Sequence, residues 1–388
     1  MECFDVSGVV RTTMKILIIS NTAYSLINFR GELIKSLQAK HLKVHVAIPK
    51  LDIDGESRKS LEGMGCIIHG IALVRAGMNP LSDVHTLLSI LKLMINIRPQ
   101  YVLAYTIKPV IYGMLAARLM RIKNRFALIT GLGYAFQADG KSKAWQKVVQ
   151  VLYKLALAGA GKVIFQNPDD QALFNKLGLI KKQANTVVNG SGVDLSYFSQ
   201  QPLPQGALKF LMIARLLKDK GVQEYIQAAK LVKLDNPQVI FQLAGWLDQN
   251  PSAITQQELD RCVNSGVIEY LGKLSDVRLT LANSSVFVLP SYREGTPRSV
   301  LEAMAIGRPI ITTDAPGCRE TVENGVNGIL IPIKDSESLA SAMIMLINNS
   351  SMISSMAKES LRIVAEKYDV KKVNKQMLIA MGWSEAAF

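Results

Sequence analysis

Cysteine and histidine are both scarce in this chain of 388 residues, four of each. Cys3, Cys66, Cys262 and Cys318 form no C-x-x-C pair, so neither a disulfide framework nor a zinc ribbon can be built on them. That usage fits a reduced, cytosolic compartment. The histidines all precede residue 90 and lack the context of a Ser-His-Asp or Cys-His constellation. His41 and His45 have the i,i+4 spacing of a helical metal pair, but His45 lies in the apolar run Val44–Ile48, which reads as a strand. A Walker A sequence is absent, and Gly131-Leu-Gly133 lacks the third glycine of a dinucleotide fingerprint. Long apolar runs are missing too. Thr86–Ile97 is broken by Lys92 and Val148–Ala160 by Lys154, short of the ~18–20 residues a spanning helix needs. The leader Met1–Thr13 has no apolar h-region and is not a signal peptide. Met14-Lys15 followed by Ile16–Ile19 looks like the start of a first strand. Residues 1–13 are expected to be a poorly ordered N-terminal extension.

Acidic residues are the remaining shortage, and it is local. Residues 1–200 carry 25 Lys and Arg against 12 Asp and Glu, whereas residues 201–388 carry 20 against 19. Between Arg98 and Lys162, eleven basic residues face a single acid, Asp139. Such a field attracts nucleic acid, an anionic membrane or a phosphorylated substrate. No zinc-finger or RNP-type motif accompanies it, so nucleic acid is not expected as a partner.

What is present is a large apolar content, 49% of residues, arranged as strands alternating with helices. Strand-like runs occur at Ile16–Ile19, Val44–Ile48, Cys66–Ile68, Tyr101–Tyr105, Phe126–Thr130, Lys162–Gln166 and Thr186–Val188. Helical spacing fills Leu26–Leu37, Leu81–Ile97 and Pro109–Met120 between them. This rhythm predicts an α/β fold with a parallel, doubly wound sheet. Gln200–Gly206 (QQPLPQG) interrupts it and reads as a linker. The alternation then resumes from Lys209–Ile213 through Val222–Lys233, Val239–Ala244, Glu269–Leu271, Val286–Leu289 and Pro309–Thr312. Two Rossmann-like domains are therefore expected, 14–200 and 207–388, facing a cleft, with the last helix free to pack back on the first domain. Ligands of such sheets bind beyond the carboxyl ends of the strands.

The most informative segment is 284–332, where the strand Val286–Leu289 enters a turn at Pro290–Thr296 and a helix follows. Pro297 is expected near the first helical position with Thr296 as N-cap. The free amides of Arg298, Ser299 and Val300 would then form an anion site reinforced by the helix dipole. Glu294 falls in the turn and Glu302 near the end of the second helical turn. A phosphate at the helix start would lie between the two carboxylates. Asp52-Ile-Asp54 spells a D-x-D metal motif, but its polar setting, LDIDGESRK, reads as a solvated turn.

The E-x7-E string from Glu294 to Glu302, within EGTPRSVLEAMAIGRPIITTDAPGCRE, resembles the signature of glycosyltransferase family four. Ala214-Arg-Leu-Leu-Lys-Asp-Lys-Gly221 is similar to its AxxLxxDKG element. Asn189-Gly-Ser-Gly-Val-Asp194 resembles the element that closes the first domain. The resemblance covers nearly the whole chain from Met14. It implies a GT-B fold and a retaining transfer from a sugar nucleotide, here a UDP-sugar, with no cofactor and no bound metal. It also implies that Arg215 and Lys220 grip the donor diphosphate and that Glu294 orients the donor sugar. Glu302 would hold the ribose, with Gly295, Thr296, Pro297, Arg298 and Ser299 lining the donor site. A fork of donors on Arg215, a point charge on Lys220 and helix amides are what a leaving diphosphate needs in the absence of a metal.

The first domain departs from the common pattern, since its first βα turn, Ser20-Asn-Thr-Ala-Tyr-Ser25, has no glycine pair. Tyr24–Arg30 (YSLINFR), TIKPVIYG and ITGLGYAF instead resemble a bacterial subgroup acting on undecaprenyl-diphosphate-linked saccharides in O-antigen, capsule or protein glycan assembly. That subgroup includes enzymes adding N-acetylgalactosamine to lipid-linked bacillosamine. Asn28, Arg30, Lys108, Gly131 and Gly133 are the candidates for the acceptor side of the cleft. The expected product is a hexose or N-acetylhexosamine transferred to a polyprenyl-diphosphate-linked sugar. The expected location is cytoplasmic, peripheral on the inner face of the membrane. Lys141–Lys162 combines Trp145, Tyr153 and aliphatic residues with lysines; it reads as an interfacial helix on anionic lipid or as a core helix with a solvated lysine face. A mean hydropathy of +0.18 favours the former. A soluble acceptor, or a GT-B-shaped epimerase, remain the other readings.

Overall fold

The computed structural model describes residues 13–74, 79–132, 143–180, 184–247 and 253–384, with side chains in 143–145 excluded. The extension 1–12, Gly133, Asp139, Lys141 and the Trp145 side chain lie outside these residues. The chain forms two compact units, the first running to Val188 and resuming at Asn374, the second spanning Asn189–Val373.

The first unit begins with β1 (Lys15–Ile19), α1 (Ala23–Ala39), β2 (Lys43–Pro49), α2 (Gly55–Gly63) and β3 (Ile67–Ile71). It continues with α3 (Pro80–Ile97), β4 (Tyr101–Tyr105), α4 (Ile107–Leu119), β5 (Asn124–Ile129) and α5 (Lys143–Leu157). β6 (Lys162–Phe165), α6 (Pro168–Lys176) and β7 (Ala184–Val187) complete it. The sheet is parallel in the order β3-β2-β1-β4-β5-β6-β7. Both faces are covered, so the central strands read as continuous apolar runs. Leu17 and Ile19 point to the layer of α3, α4 and α5, whereas Ile16 and Ile18 point to α1. Capping decides where helices start. Thr22 accepts from the Ser25 amide, so α1 begins at Ala23, ahead of the apolar periodicity at Leu26. In α5, Val149, Tyr153, Ala156 and Leu157 enter the core, while Val148, Val151 and Leu155 stay exposed beside Lys147 and Lys154.

The second unit contains β8 (Lys209–Ile213), α7 (Val222–Asp235), β9 (Ile240–Ala244), α8 (Gln256–Asn264) and β10 (Glu269–Gly272). α9 (Arg278–Ala282), β11 (Val286–Leu289), α10 (Arg298–Ile306), β12 (Ile310–Thr313) and β13 (Gly328–Ile331) follow. α11 (Ser336–Asn348) and α12 (Ser350–Ile363) come next, and α13 (Val370–Ala380) carries the chain into the first unit. The sheet is parallel in the order β10-β9-β8-β11-β12-β13.

The division between units differs from the expected linker at 200–206. That segment is tied into the second unit by Arg308, whose side chain is fully buried. Its guanidinium donates to the carbonyls of Leu281 and Ala282 at the end of α9, and of Ile306 and Gly307 at the end of α10. It also donates to Gln201 at 3.1 Å and Pro202 at 2.8 Å. Helix C-termini present partial negative charge, which is what a buried cation without a carboxylate partner requires. Burial still pulls the Arg308 pKa down to about 10. Asn189–Asp194, expected to close the first domain, also belongs to the second unit. Val193 pairs with Tyr368 and Val370 through backbone hydrogen bonds, and Gly192 packs on the Val370 backbone.

On β2 and β3, His45 Nδ1 and His69 Nε2 lie 2.9 Å apart with the rings stacked. Burial, with the positive fields of His69, Lys15 and Lys43, pushes His45 down to about 4. Below its ordinary value of 6.5 the unfolded chain takes up a proton that the folded one refuses. The thermal midpoint is therefore expected to fall as pH drops from 6.5 toward about 4. His45→Leu should flatten that slope, and an unchanged slope would assign the acid sensitivity to other groups. Arg308→Met, which orphans several buried carbonyls, is expected to cost about 3 kcal/mol or more in urea unfolding. A wild-type midpoint would overturn this role for the guanidinium.

Candidate active site

The order of the second sheet reverses between β8 and β11, which are hydrogen-bonded neighbours. The segments that leave these strands at their carboxyl ends, Ala214–Gly221 and Pro290–Pro297, therefore meet where parallel sheets bind ligands. Gly221 makes that meeting possible. It adopts φ +73°, and a Cβ there would lie 2.2 Å from the Pro290 carbonyl oxygen.

Lys220, in the single turn Lys218–Lys220, donates from Nζ to Glu294 Oε1 at 2.5 Å. Both side chains are about six-sevenths buried, at 14% and 15% exposure. Ser291 Oγ donates to the same carboxylate oxygen at 2.8 Å. The backbone of this turn is pinned along its length. The Tyr292 amide donates to the Asp219 carbonyl and the Glu294 amide to the Pro316 carbonyl, both at 2.9 Å. Thr313 Oγ1 donates to the Ser291 carbonyl. Gly317, at φ +82°, sits against the Glu294 carbonyl, 2.2 Å from where a Cβ would stand. Beneath the turn, burial and the nearby Glu294 carboxylate push the Cys318 thiol up to about 12, so it serves as packing.

The helix after the turn starts one residue later than expected. Pro297, not Thr296, is the N-cap, with ψ 112°, and α10 opens at Arg298. The Pro297 carbonyl accepts from the amides of Val300 at 3.1 Å and Leu301 at 3.3 Å. The expected anion site would therefore have the amides of Arg298 and Ser299, because that of Val300 is engaged. The shift has a steric source. Thr296 is packed on Gly190, where a Cβ would lie 2.7 Å from the Thr296 Cβ, and the turn stays extended through Pro297. A proline cap has no side-chain oxygen, so it leaves those two amides unmasked. Gly295 is buried within the turn. Glu302 comes early in the second helical turn, one turn from Arg298, whose Nε donates to it at 3.0 Å. Burial dominates over that ion pair and pushes the Glu302 carboxyl up to about 7.

Arg215 is exposed on the segment after β8. In the first unit, Arg30 is buried with its guanidinium over the Tyr105 ring, 5.2 Å from the centroid, whereas Asn28 is exposed and donates to the Tyr24 carbonyl. Lys108 opens no free charge at the end of β4, since Nζ is paired with buried Asp83 at 2.9 Å. Thr106, just before it, holds φ +70°, a strained conformation for a β-branched residue. Gly131 follows β5 at φ +123°. The D-x-D carboxylates serve as caps: Asp52 accepts from the Ala23 amide and Asp54 from the Ser57 amide. Among the described residues, no group of three or more His, Cys, Asp and Glu is placed to hold a metal.

Sequence reading missed Ser291, the Gly190 and Gly317 contacts, and the Tyr292 hydroxyl that donates to Glu224 at 2.6 Å. Ser291, Tyr292 and Gly317 lie inside segment 284–332 and Gly190 inside Asn189–Asp194, so each had a local signal, but which groups they meet had none.

Residues 195–362 match the family model of glycosyl transferases group 1, and residues 15–167 match the glycosyl transferase 4-like model. The chain is 31% identical over 377 residues to the N,N'-diacetylbacillosaminyl-diphospho-undecaprenol alpha-1,3-N-acetylgalactosaminyltransferase of Campylobacter jejuni, covering 92% of this chain and 97% of that one. It is 26% identical over 315 residues to the Escherichia coli UDP-Gal:alpha-D-GlcNAc-diphosphoundecaprenol alpha-1,3-galactosyltransferase, covering 76% and 78% respectively. Its fold matches Anabaena HepE in complex with UDP-glucose at a TM-score of 0.75 and 21% identity, over 95% of this chain and 99% of that chain. Two parallel-sheet units, both family models and a relative matched over nearly its whole length agree, and the chain belongs to the GT-B glycosyltransferases of group 1 with a glycosyltransferase 4-like first domain.

Proposed function

We propose that this enzyme moves a hexose or N-acetylhexosamine from a UDP-sugar to a saccharide carried on undecaprenyl diphosphate. In this reading transfer proceeds with retention, needs no bound metal, and takes place on the anionic cytoplasmic face of the membrane. The observation that carries the donor half is the convergence of Lys220, Glu294 and the open amides of Arg298 and Ser299 at the sheet's reversal point. The acceptor half is supported by two relatives, matched over most of their length, whose names specify undecaprenyl-diphosphate-linked sugars.

As the sugar C1–oxygen bond breaks, its electron pair moves onto the leaving phosphate. Arg215, Lys220 and the α10 amides offset the charge that develops there. Glu294 accepts hydrogen bonds from the donor sugar's hydroxyls, and Glu302 from the ribose. The acceptor hydroxyl attacks on the face the phosphate leaves, and its proton passes to the leaving phosphate oxygen. Acceptor binding falls to the first unit, whose excess of basic residues suits a diphosphate on an anionic surface.

A donor–acceptor assay tests the reading: UDP-sugars with and without a polyprenyl-diphosphate N-acetylhexosamine acceptor, in EDTA. Lipid-dependent transfer that survives EDTA is expected. UDP release to other acceptors alone, or loss of transfer in EDTA, would overturn the acceptor or the metal-free assignment respectively. Glu294→Ala and Lys220→Ala should each lower kcat/KM on the order of 10²-fold, and near-wild-type rates in both would sink the donor site. Because Glu302 titrates near 7, the KM for donor should rise as pH falls through about 7. Glu302→Gln should show a raised KM with that pH dependence gone; a pH-dependent KM retained in the variant assigns the titration elsewhere.

A further inference from the structure

Helix α3 exposes an apolar stripe along its whole length. Leu81, Val84, Leu88 and Ile95 are 82%, 56%, 58% and 54% exposed. Their spacing, with exposed Lys92 among them, keeps all five within one narrow arc of the helix. Ile90, Met94 and Ile97 hold the opposite side in the core, so the stripe is not needed for it. Two helices further along the same layer, α5 repeats the arrangement with Val148, Val151 and Leu155 outward beside Lys147 and Lys154. Helix α4 lies between them, packed on both.

The charge of this layer is as uneven as its polarity. From residue 84 to residue 138 the sequence contains no Asp or Glu, and α5 contains none. The single acid of α3, Asp83, is buried and paired with Lys108. At the start of the stripe the apolar surface continues into a cavity of about 180 Å³ lined by Pro49, Leu51, Leu73, Val74, Ser82 and His85. That cavity lies at the carboxyl ends of β2 and β3, the edge at which this fold presents ligands. Exposed aliphatic side chains among cations, with no carboxylate facing outward, complement an anionic lipid interface and repel an acid-poor, basic copy of the same face. Among the described residues no helix is long and apolar enough to cross a membrane, so contact of this kind is lateral.

We propose that the outer face of α3 and α5 is a docking surface for an anionic lipid bilayer. Leu81, Val84, Leu88 and Ile95 enter the acyl–headgroup boundary, and Lys92, Lys147 and Lys154 meet lipid phosphates. The docking rests for its purpose on the lipid-linked acceptor proposed above, whose sugar is presented at that boundary.

Co-sedimentation of the full chain with phosphatidylglycerol-containing vesicles, against phosphatidylcholine-only vesicles, tests the surface. Wild-type protein should bind the former and be weakened by salt. Leu81→Asn/Leu88→Asn and Lys147→Gln/Lys154→Gln double variants should each bind about tenfold more weakly or worse. Both should keep the wild-type thermal midpoint, and the wild-type rate with a short-chain, water-soluble prenyl-diphosphate saccharide. Undiminished vesicle binding by either variant overturns the proposal. So does a wild-type dimer in sedimentation velocity that the Asn variants dissolve, since the face would then join two copies. Vesicle binding without transfer to any lipid-linked acceptor would remove the acceptor reading and leave the docking surface standing.

Discussion

A lysine and a glutamate 74 positions apart meet at 2.5 Å because two parallel strands, β8 and β11, are neighbours where the order of the second sheet reverses. The rest of the candidate site depends on that adjacency. It brings the turns after the two strands close enough that only glycine fits at 221, and the segment after β12 closes on the same turn through Gly317. The Glu294 turn is fixed by neighbours at the Tyr292 and Glu294 amides and the Ser291 carbonyl. A carboxylate held this firmly needs little reorganisation to accept a hydrogen bond from a ligand.

The same physics explains why buried charge in this molecule falls into distinct uses. Arg308 lies among carbonyls at two helix ends and fastens the 201–202 segment; it has no carboxylate partner and offers nothing to a ligand. Asp83 and Lys108 neutralise each other between α3 and α4. Glu302 lies against Arg298 yet is pushed up to about 7, so its ionisation sits where small environmental changes matter. Burial sets the cost in each case, and the available partner decides whether the group braces the fold or remains responsive.

Much of the candidate site was legible because it is local. Glu294, the proline, the amides after it and Glu302 all fall in one short string, and the strand before it is a plain apolar run. The helix starts one residue later than expected because Pro297 is itself extended, at ψ 112°, and the residue before it packs on Gly190, over a hundred positions earlier. The linker was misplaced for a similar reason. Gln200–Gly206 has the composition of a free connector, but a single arginine far along the chain accepts it into the second unit. His69 went unremarked in the sequence because partnership with His45 needs the β2–β3 register.

Strand–helix periodicity, the loss of acids across 84–138 and the E-x7-E string belong to the sequence alone, since each is a property of neighbours in the chain. They determined the α/β class, the uneven charge and the place of the turn after β11. The tertiary structure decided which apolar residues of α3 and α5 face outward, and which distant partner each charge meets. Periodicity marks one face of a helix as apolar, but only packing shows that the opposite face is apolar too and left uncovered.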